Sequence, residues 1–184
     1  MISSVRIVGA GLIGTSIGLC LKAAGVNVEM VDIDSNTAKL AHDLVKSTPV
    51  SEPDLIIVAV PIGVNQSEVV KQLNENQSSI VCDLASVKSD LLLKVAELSA
   101  NVANFISLHP MAGREMSGAQ SARADLFTGR AWIGIESGQS SKKAKEIAQE
   151  LIKICGSSSY WMSSAEHDEV VAKISHIPQI LSTA

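Results

Sequence analysis

The chain has 184 residues, 46% of them apolar, with 3% aromatics and a formal net charge of −4. That length accommodates one domain with a substantial core and is short for two. The composition argues against disorder, and the acidic balance with few aromatics argues against a nucleic-acid surface.

Apolar β-rich runs alternate with helix-like segments along the chain. "VRIVGA" (5–10) predicts a strand, "LIGTSIGLCLKAAG" (12–25) a helix closed by Gly25, and "VNVEMVD" (26–32) a second strand. A helix over about 35–46 follows, then "DLIIVAVP" (54–61), an Ile/Val run suited to a strand buried on both faces of a parallel sheet. Next come a helix over 64–75, a strand over 79–84, a helix over 87–99 and strands over 104–110 and 131–136. A helix over about 140–155, with Lys142, Lys143 and Lys145 on its solvated face, precedes a short strand over 159–162.

Cys20, Cys82 and Cys155 form no CxxC pair and no metal spacing, so a reduced cytoplasmic setting without a metal is expected. The uncharged run from Ile7 to Leu21 is too short to span a bilayer and is punctuated by glycines, so no targeting role is assigned to it and no membrane partner is expected. Strand–helix–strand alternation implies an α/β fold, a Rossmann-type doubly wound and mostly parallel sheet with helices on both faces. Ligands in such folds bind beyond the carboxyl ends of the strands. The long loop from Met111 to Arg130 is expected to wall that cleft.

"GAGLIG" places Gly9, Gly11 and Gly14 in GxGxxG spacing. The first permits the tight turn, the second lets backbone approach a pyrophosphate, and the third lets the helix pack on the strand. Leu12 and Ile13 open the helix whose N–H groups would meet the phosphates. Asp32, at the end of the second strand, suits a ribose diol and would repel a 2′-phosphate, which favours NAD over NADP. Asp34 reads as a helix cap.

Three segments lie just past strand ends: "AVPIG", with Val60 and Pro61 shaping the floor; "DLASVK", with Ser86; and "LHPMAGREMSG", with His109, Glu115 and Ser117. A histidine titrating near neutral pH suits a base that takes a hydroxyl proton as hydride leaves. Each residue also has a plainer reading. Ser86 could cap a helix starting at Val87, Glu115 could pair with Arg114 or Arg130, and His109 could simply end a strand. In the last twenty residues, His167 shares a stripe with Val171, Ile174 and Leu181 and reads as a satisfied, half-buried side chain. His176 falls on the opposite face, Pro178 interrupts the helix, and Asp168 reads as structural.

Taken together, "VGAGLIGTSIGLCLK" (8–22), "DLASVK" (83–88), "HPMAGREMSG" (109–118), "LFTGRAWI" (126–133) and "HDEVVAKISHIPQ" (167–179) resemble the prephenate/arogenate dehydrogenase family of tyrosine biosynthesis, in that family's order. The resemblance implies oxidative decarboxylation of prephenate to 4-hydroxyphenylpyruvate with NAD, or the same chemistry on arogenate. It implies that His109 is the catalytic histidine on the 4-hydroxyl, with Ser86 beside it, and that Glu115, Ser117 and His176 line or gate the substrate pocket. It also implies a nucleotide-binding domain over 1–163 and, from 164, the start of an all-helical domain that makes a homodimer and supplies an arginine for a substrate carboxylate. The chain ends at Ala184, where that domain's first long helix would begin. Residues 1–184 alone are therefore expected to bind NAD and to turn over prephenate poorly. Three alternatives compete: arogenate dehydrogenase; a β-hydroxyacid dehydrogenase, whose usual catalytic lysine segment has no match here; and a nucleotide-binding module without catalysis.

Overall fold

A computed structural model describes residues 1–112 and 117–173. Its centre is a seven-stranded sheet in the order β2-β1-β3-β4-β5-β6-β7. The strands are β1 Ser4–Val8, β2 Asn27–Val31, β3 Leu55–Val58, β4 Ile80–Asp83, β5 Phe105–Pro110, β6 Ala131–Ile135 and β7 Ser158–Met162. The helices are α1 Leu12–Ala23, α2 Ser35–Val45, α3 Ile62–Glu75, α4 Ser89–Leu98, α5 Lys142–Ile154 and α6 Ser164–Val171. Every expected strand and helix is present, with ends displaced by a few residues.

The "LIIV" run of β3 explains the layering. Leu55 and Ile57 join the core cluster beneath α1, α2 and α5, while Ile56 and Val58 join the cluster beneath α3 and α4. All four are fully buried, because a central parallel strand has no solvent face. At about 1.5–3 kcal/mol per buried aliphatic side chain, such strands supply much of the drive to fold. Helix ends are set by the residues at hand. Asp34 caps α2 by accepting from the Thr37 N–H, as the sequence predicts, and Ser163 with Glu166 forms a reciprocal capping box on α6.

Two features differ from a simple parallel alternation. Strand β6 runs antiparallel to β5, and β7 then pairs parallel with β6. The chain reaches β6 through the 111–130 connection, whose described residues contain a 3-10 turn at Ala119–Ser121 and no α-helix. That connection lies against α1, where the Arg123 N–H donates to the Ser16 hydroxyl. The three cysteines are free and buried, and the Cys20 thiol donates to the Ile154 carbonyl at 3.2 Å, beside Cys155 far along the chain.

The strand order reverses between β1 and β3, since β1 pairs with β2 on one side and β3 on the other. Register aligns Val31, Val8, Val58, Asp83 and Ser107 in one row across the sheet. This row lies at the carboxyl ends of β1 to β4, so Asp32, Gly9 and Ala59, the residues that follow β2, β1 and β3, border the crevice expected of a topological switch point.

Candidate active site

The glycine turn sits at that switch point. Gly9 has φ +101, and a Cβ there would meet the Ala59 carbonyl oxygen at 2.4 Å. A Cβ on Gly14 would fall 2.0 Å from the Gly9 carbonyl oxygen, so the first turn of α1 presses directly on the turn before it. Gly11 is different, with nothing within 4 Å of its Cβ position. Open space at Gly11 is what a backbone meant to approach a phosphate requires. Helix α1 starts there with no side-chain cap and no acidic residue in its first turn. The leading N–H groups of a helix have no intrahelical acceptor, so Leu12, Ile13 and Gly14 present donors and a partial positive charge to an anion. Asp32 is tied to the same turn, accepting from the Ala10 N–H at 2.7 Å and the Asp34 N–H at 2.9 Å. This donor set and open floor fit a dinucleotide pyrophosphate.

On the other side of the crevice, His109 lies two residues beyond the Asp83–Ser107 row, on the part of β5 that pairs with Ile133 of β6. It is only 8% exposed. Its Nδ1 lies 3.0 Å from His167 Nε2, and the two rings meet edge to face. His167 Nδ1 in turn lies 2.8 Å from the Asp168 carboxylate. Asp168 also accepts the Lys88 N–H at 3.0 Å and the Ser89 N–H at 2.9 Å. It therefore caps α4 from another element, and α6 is held against that helix.

Burial pushes the Asp168 carboxyl up, but hydrogen bonds from the Ser89 side chain, from His167 and from the two backbone N–H groups outweigh it and hold the group at about 2. Burial pushes His167 below its usual range. The hydrogen bond to Asp168 opposes this, and the Lys88 charge reinforces it. Lys88 is fully buried, and its ammonium donates to Asp83 Oδ2 at 2.8 Å and to the Leu108 carbonyl at 2.7 Å. The residue before His109 is thus clamped to the end of β4.

Sequence reasoning placed the histidine correctly at a strand end but read its neighbours differently. His167 is fully buried, not half-buried, and both its ring nitrogens are engaged beside His109. Ser86 does not cap a helix at Val87; α4 begins at Ser89, and Asp168 satisfies its first N–H groups. Ser86 is half-buried in the 84–88 loop, Val60 is half-buried at the end of β3, and exposed Pro61 precedes α3. Ser117 is exposed. Arg114, Glu115 and His176, with Ile174, Ser175, Pro178 and Leu181, lie outside the described residues. Lys88 and Asp83 were missed as a pair, although both stand in "DLASVK". The signal was a lysine in an otherwise apolar, helix-starting loop. Among the described residues, no group of His, Cys, Asp and Glu is arranged to hold a metal, and no helix is long and apolar enough to cross a membrane.

Comparison with known proteins bears on this geometry. The family model described as prephenate dehydrogenase, nucleotide-binding domain, matches residues 17–161. The chain belongs to this family. The matched stretch contains Ser86, Lys88 and His109, while the glycine turn and the His167–Asp168 pair flank it. The chain is 31% identical over 180 residues to a probable prephenate dehydrogenase, NovF, of Streptomyces niveus, covering 96% of this chain and 50% of that protein. It is 32% identical over 193 residues to a prephenate dehydrogenase of Lactococcus lactis, covering 97% and 52%. The chain thus spans about half the length of the curated prephenate dehydrogenases it matches. Among solved structures, a prephenate dehydrogenase from A. aeolicus in complex with hydroxyphenyl propionate and NAD+ shares the fold at TM-score 0.89 and 24% identity, covering all of this chain and 68% of that one. A Synechocystis arogenate dehydrogenase aligns at TM-score 0.84 and 26% identity, covering 95% and 65%.

Proposed function

We propose that this chain forms the dinucleotide-binding part of an NAD-dependent prephenate dehydrogenase, with His109 as its proton acceptor. The observation that carries the reading is His109 itself: a histidine at a strand end, beside the switch-point crevice, braced by a second histidine and a carboxylate. Gly9, Gly11, Leu12, Ile13 and Gly14 would hold the pyrophosphate, Asp32 the ribose diol, and Val60 and Pro61 the floor beside it. Asp32 favours NAD over NADP, because a carboxylate repels a 2′-phosphate. A bound nicotinamide would supply the hydride acceptor for C4 of the substrate ring.

His109 takes the proton of the ring hydroxyl, and Ser86 offers its hydroxyl to the same oxygen. The C4–H pair would leave as hydride while the O–H pair stays on oxygen and becomes the C4=O bond. The bond from C1 to the ring carboxylate then breaks, and its electrons pass through the ring to that oxygen, which regains the proton from His109. Carbon dioxide leaves as the ring aromatises to 4-hydroxyphenylpyruvate. Glu115, Ser117 and His176 are assigned to the substrate side. Residues 1–163 are assigned to the nucleotide-binding domain and 164–184 to the start of a helical one. That helical domain would supply the homodimer contact and a cation for the substrate carboxylates, in a cytoplasmic enzyme. The 184 residues alone would then bind cofactor well and turn over prephenate slowly.

The test is NADH formation from prephenate and from arogenate by wild type and His109→Asn, with NADH binding followed by fluorescence. His109→Asn is expected to lose about 10²–10⁴ in kcat with cofactor affinity kept, the usual contribution of a general base. Unchanged turnover removes His109 from the mechanism. A faster reaction with arogenate reassigns the substrate. Cofactor binding with no product from either substrate leaves a nucleotide-binding module.

A further inference from the structure

We propose that His167 and Asp168 are positioning residues that fix the tautomer of His109, keeping its proton on Nδ1 and its lone pair on Nε2. This rests on His109 being the base. The assignment follows from donor and acceptor counting. The Asp168 carboxylate only accepts, and it already receives the Lys88 and Ser89 N–H groups. The His167 nitrogen against it, Nδ1, must therefore be the donor. A neutral imidazole carries one N–H. With that proton spent on Asp168, His167 Nε2 accepts, and its partner at 3.0 Å is His109 Nδ1. His109 must then donate through Nδ1, which leaves Nε2 as its basic nitrogen.

The charges around the pair are consistent with this arrangement. Asp168 on α6, Asp83 at the end of β4 and the buried Lys88 ammonium are the ionisable groups that act on His167. Lys88, already paired with Asp83, disfavours a second cation nearby and so keeps His167 neutral. When the substrate O–H bond breaks and its proton forms an N–H bond at His109 Nε2, the new imidazolium donates more strongly through Nδ1. No proton leaves the relay. His167 keeps its own, and Asp168 stabilises the charge from a distance. Capping α4 needs only Asp168, so a purely structural role gives no reason for His167 to sit between that carboxylate and His109.

Nitrogen-15 histidine labelling of the whole chain tests this directly, with the His109 signals assigned by their loss in His109→Asn. Long-range proton–nitrogen correlation above neutral pH is expected to show His109 as the Nδ1–H form in wild type. His167→Leu should show a mixture with the Nε2–H form, and His167→Gln, whose amide oxygen accepts in place of Nε2, should restore the wild-type form. In kinetics, His167→Leu should lower kcat about 10–100-fold, less than removal of the base. KM and NADH affinity should be kept. Its kcat/KM profile should lose activity at a pH about one unit lower, because the imidazolium has lost its acceptor. His167→Gln should recover most of both. His109 found as the Nε2–H form in wild type overturns the proposal. So does an unchanged tautomer and pH profile in a folded His167→Leu. If His167→Leu does not fold, the wild-type tautomer and the Gln variant decide. If wild type turns over neither substrate, the functional reading falls, while the tautomer still decides the relay.

Discussion

Asp168→Asn perturbs the node that joins α4, α6 and the histidine pair. The carboxylate accepts from the Lys88 N–H, the Ser89 N–H and His167, with the Ser89 side chain beside them. An amide retains one acceptor oxygen and turns an NH2 toward donors, so at least one of these contacts becomes repulsive. The folded carboxyl is held at about 2, against an ordinary value of 3.8. At about 1.4 kcal/mol per pH unit, that difference is worth about 2.5 kcal/mol of stability. Water reaches 26% of the side chain, which trims the figure to about 2 kcal/mol. Because folding depresses this carboxyl, its contribution is present in full above about pH 5 and fades as pH falls toward 2.

Urea denaturation followed by circular dichroism, on wild type and Asp168→Asn from pH 7 downward, measures the gap. The variant should be about 2 kcal/mol less stable at pH 7, or roughly 4–8 °C lower in Tm for a chain of this size. The gap should fall to about half by pH 3 and to a few tenths of a kcal/mol near pH 2. A gap that stays constant with pH would refute the reasoning, because it would mean that the charge is not what the N–H groups and His167 hold.

Lys88→Met leaves Asp83 buried without its cation and the Leu108 carbonyl without its donor; a loss of about 3–5 kcal/mol is expected by thermal melting, and a melt within a degree or two of wild type contradicts it. The glycine turn separates packing from binding. Gly14→Ala drives a Cβ into the Gly9 carbonyl and should destabilise the fold outright, whereas Gly11→Ala should melt like wild type yet bind NADH at least about tenfold more weakly by fluorescence titration. Equal melting of the two variants would undo that assignment. Asp32→Ser should raise NADP affinity relative to NAD on the order of tenfold, about 1.4 kcal/mol, and an unchanged ratio counts against the ribose role.

The sequence by itself determined the layers and the glycine turn, because both rest on local patterns. A short, β-branched, uninterrupted "LIIV" suits a strand covered on both faces, and GxGxxG between strand and helix states its own backbone geometry. His109 was legible as a strand end, hence as a crevice residue, for the same reason. The tertiary structure decided what surrounds it. His109 and His167 stand 58 residues apart, and Lys88 meets Asp168 across 80. A stripe of apolar residues at helical spacing reports that His167 is buried, but not which polar group buries against it. The antiparallel turn into β6 was equally hidden, since a strand's direction depends on what its connection packs against. Periodicity records how a segment meets its own neighbours. The pairing of a buried lysine, a carboxylate and two histidines depends on how three separate segments, 83–88, β5 and α6, come together, and that is set only when the sheet closes around them.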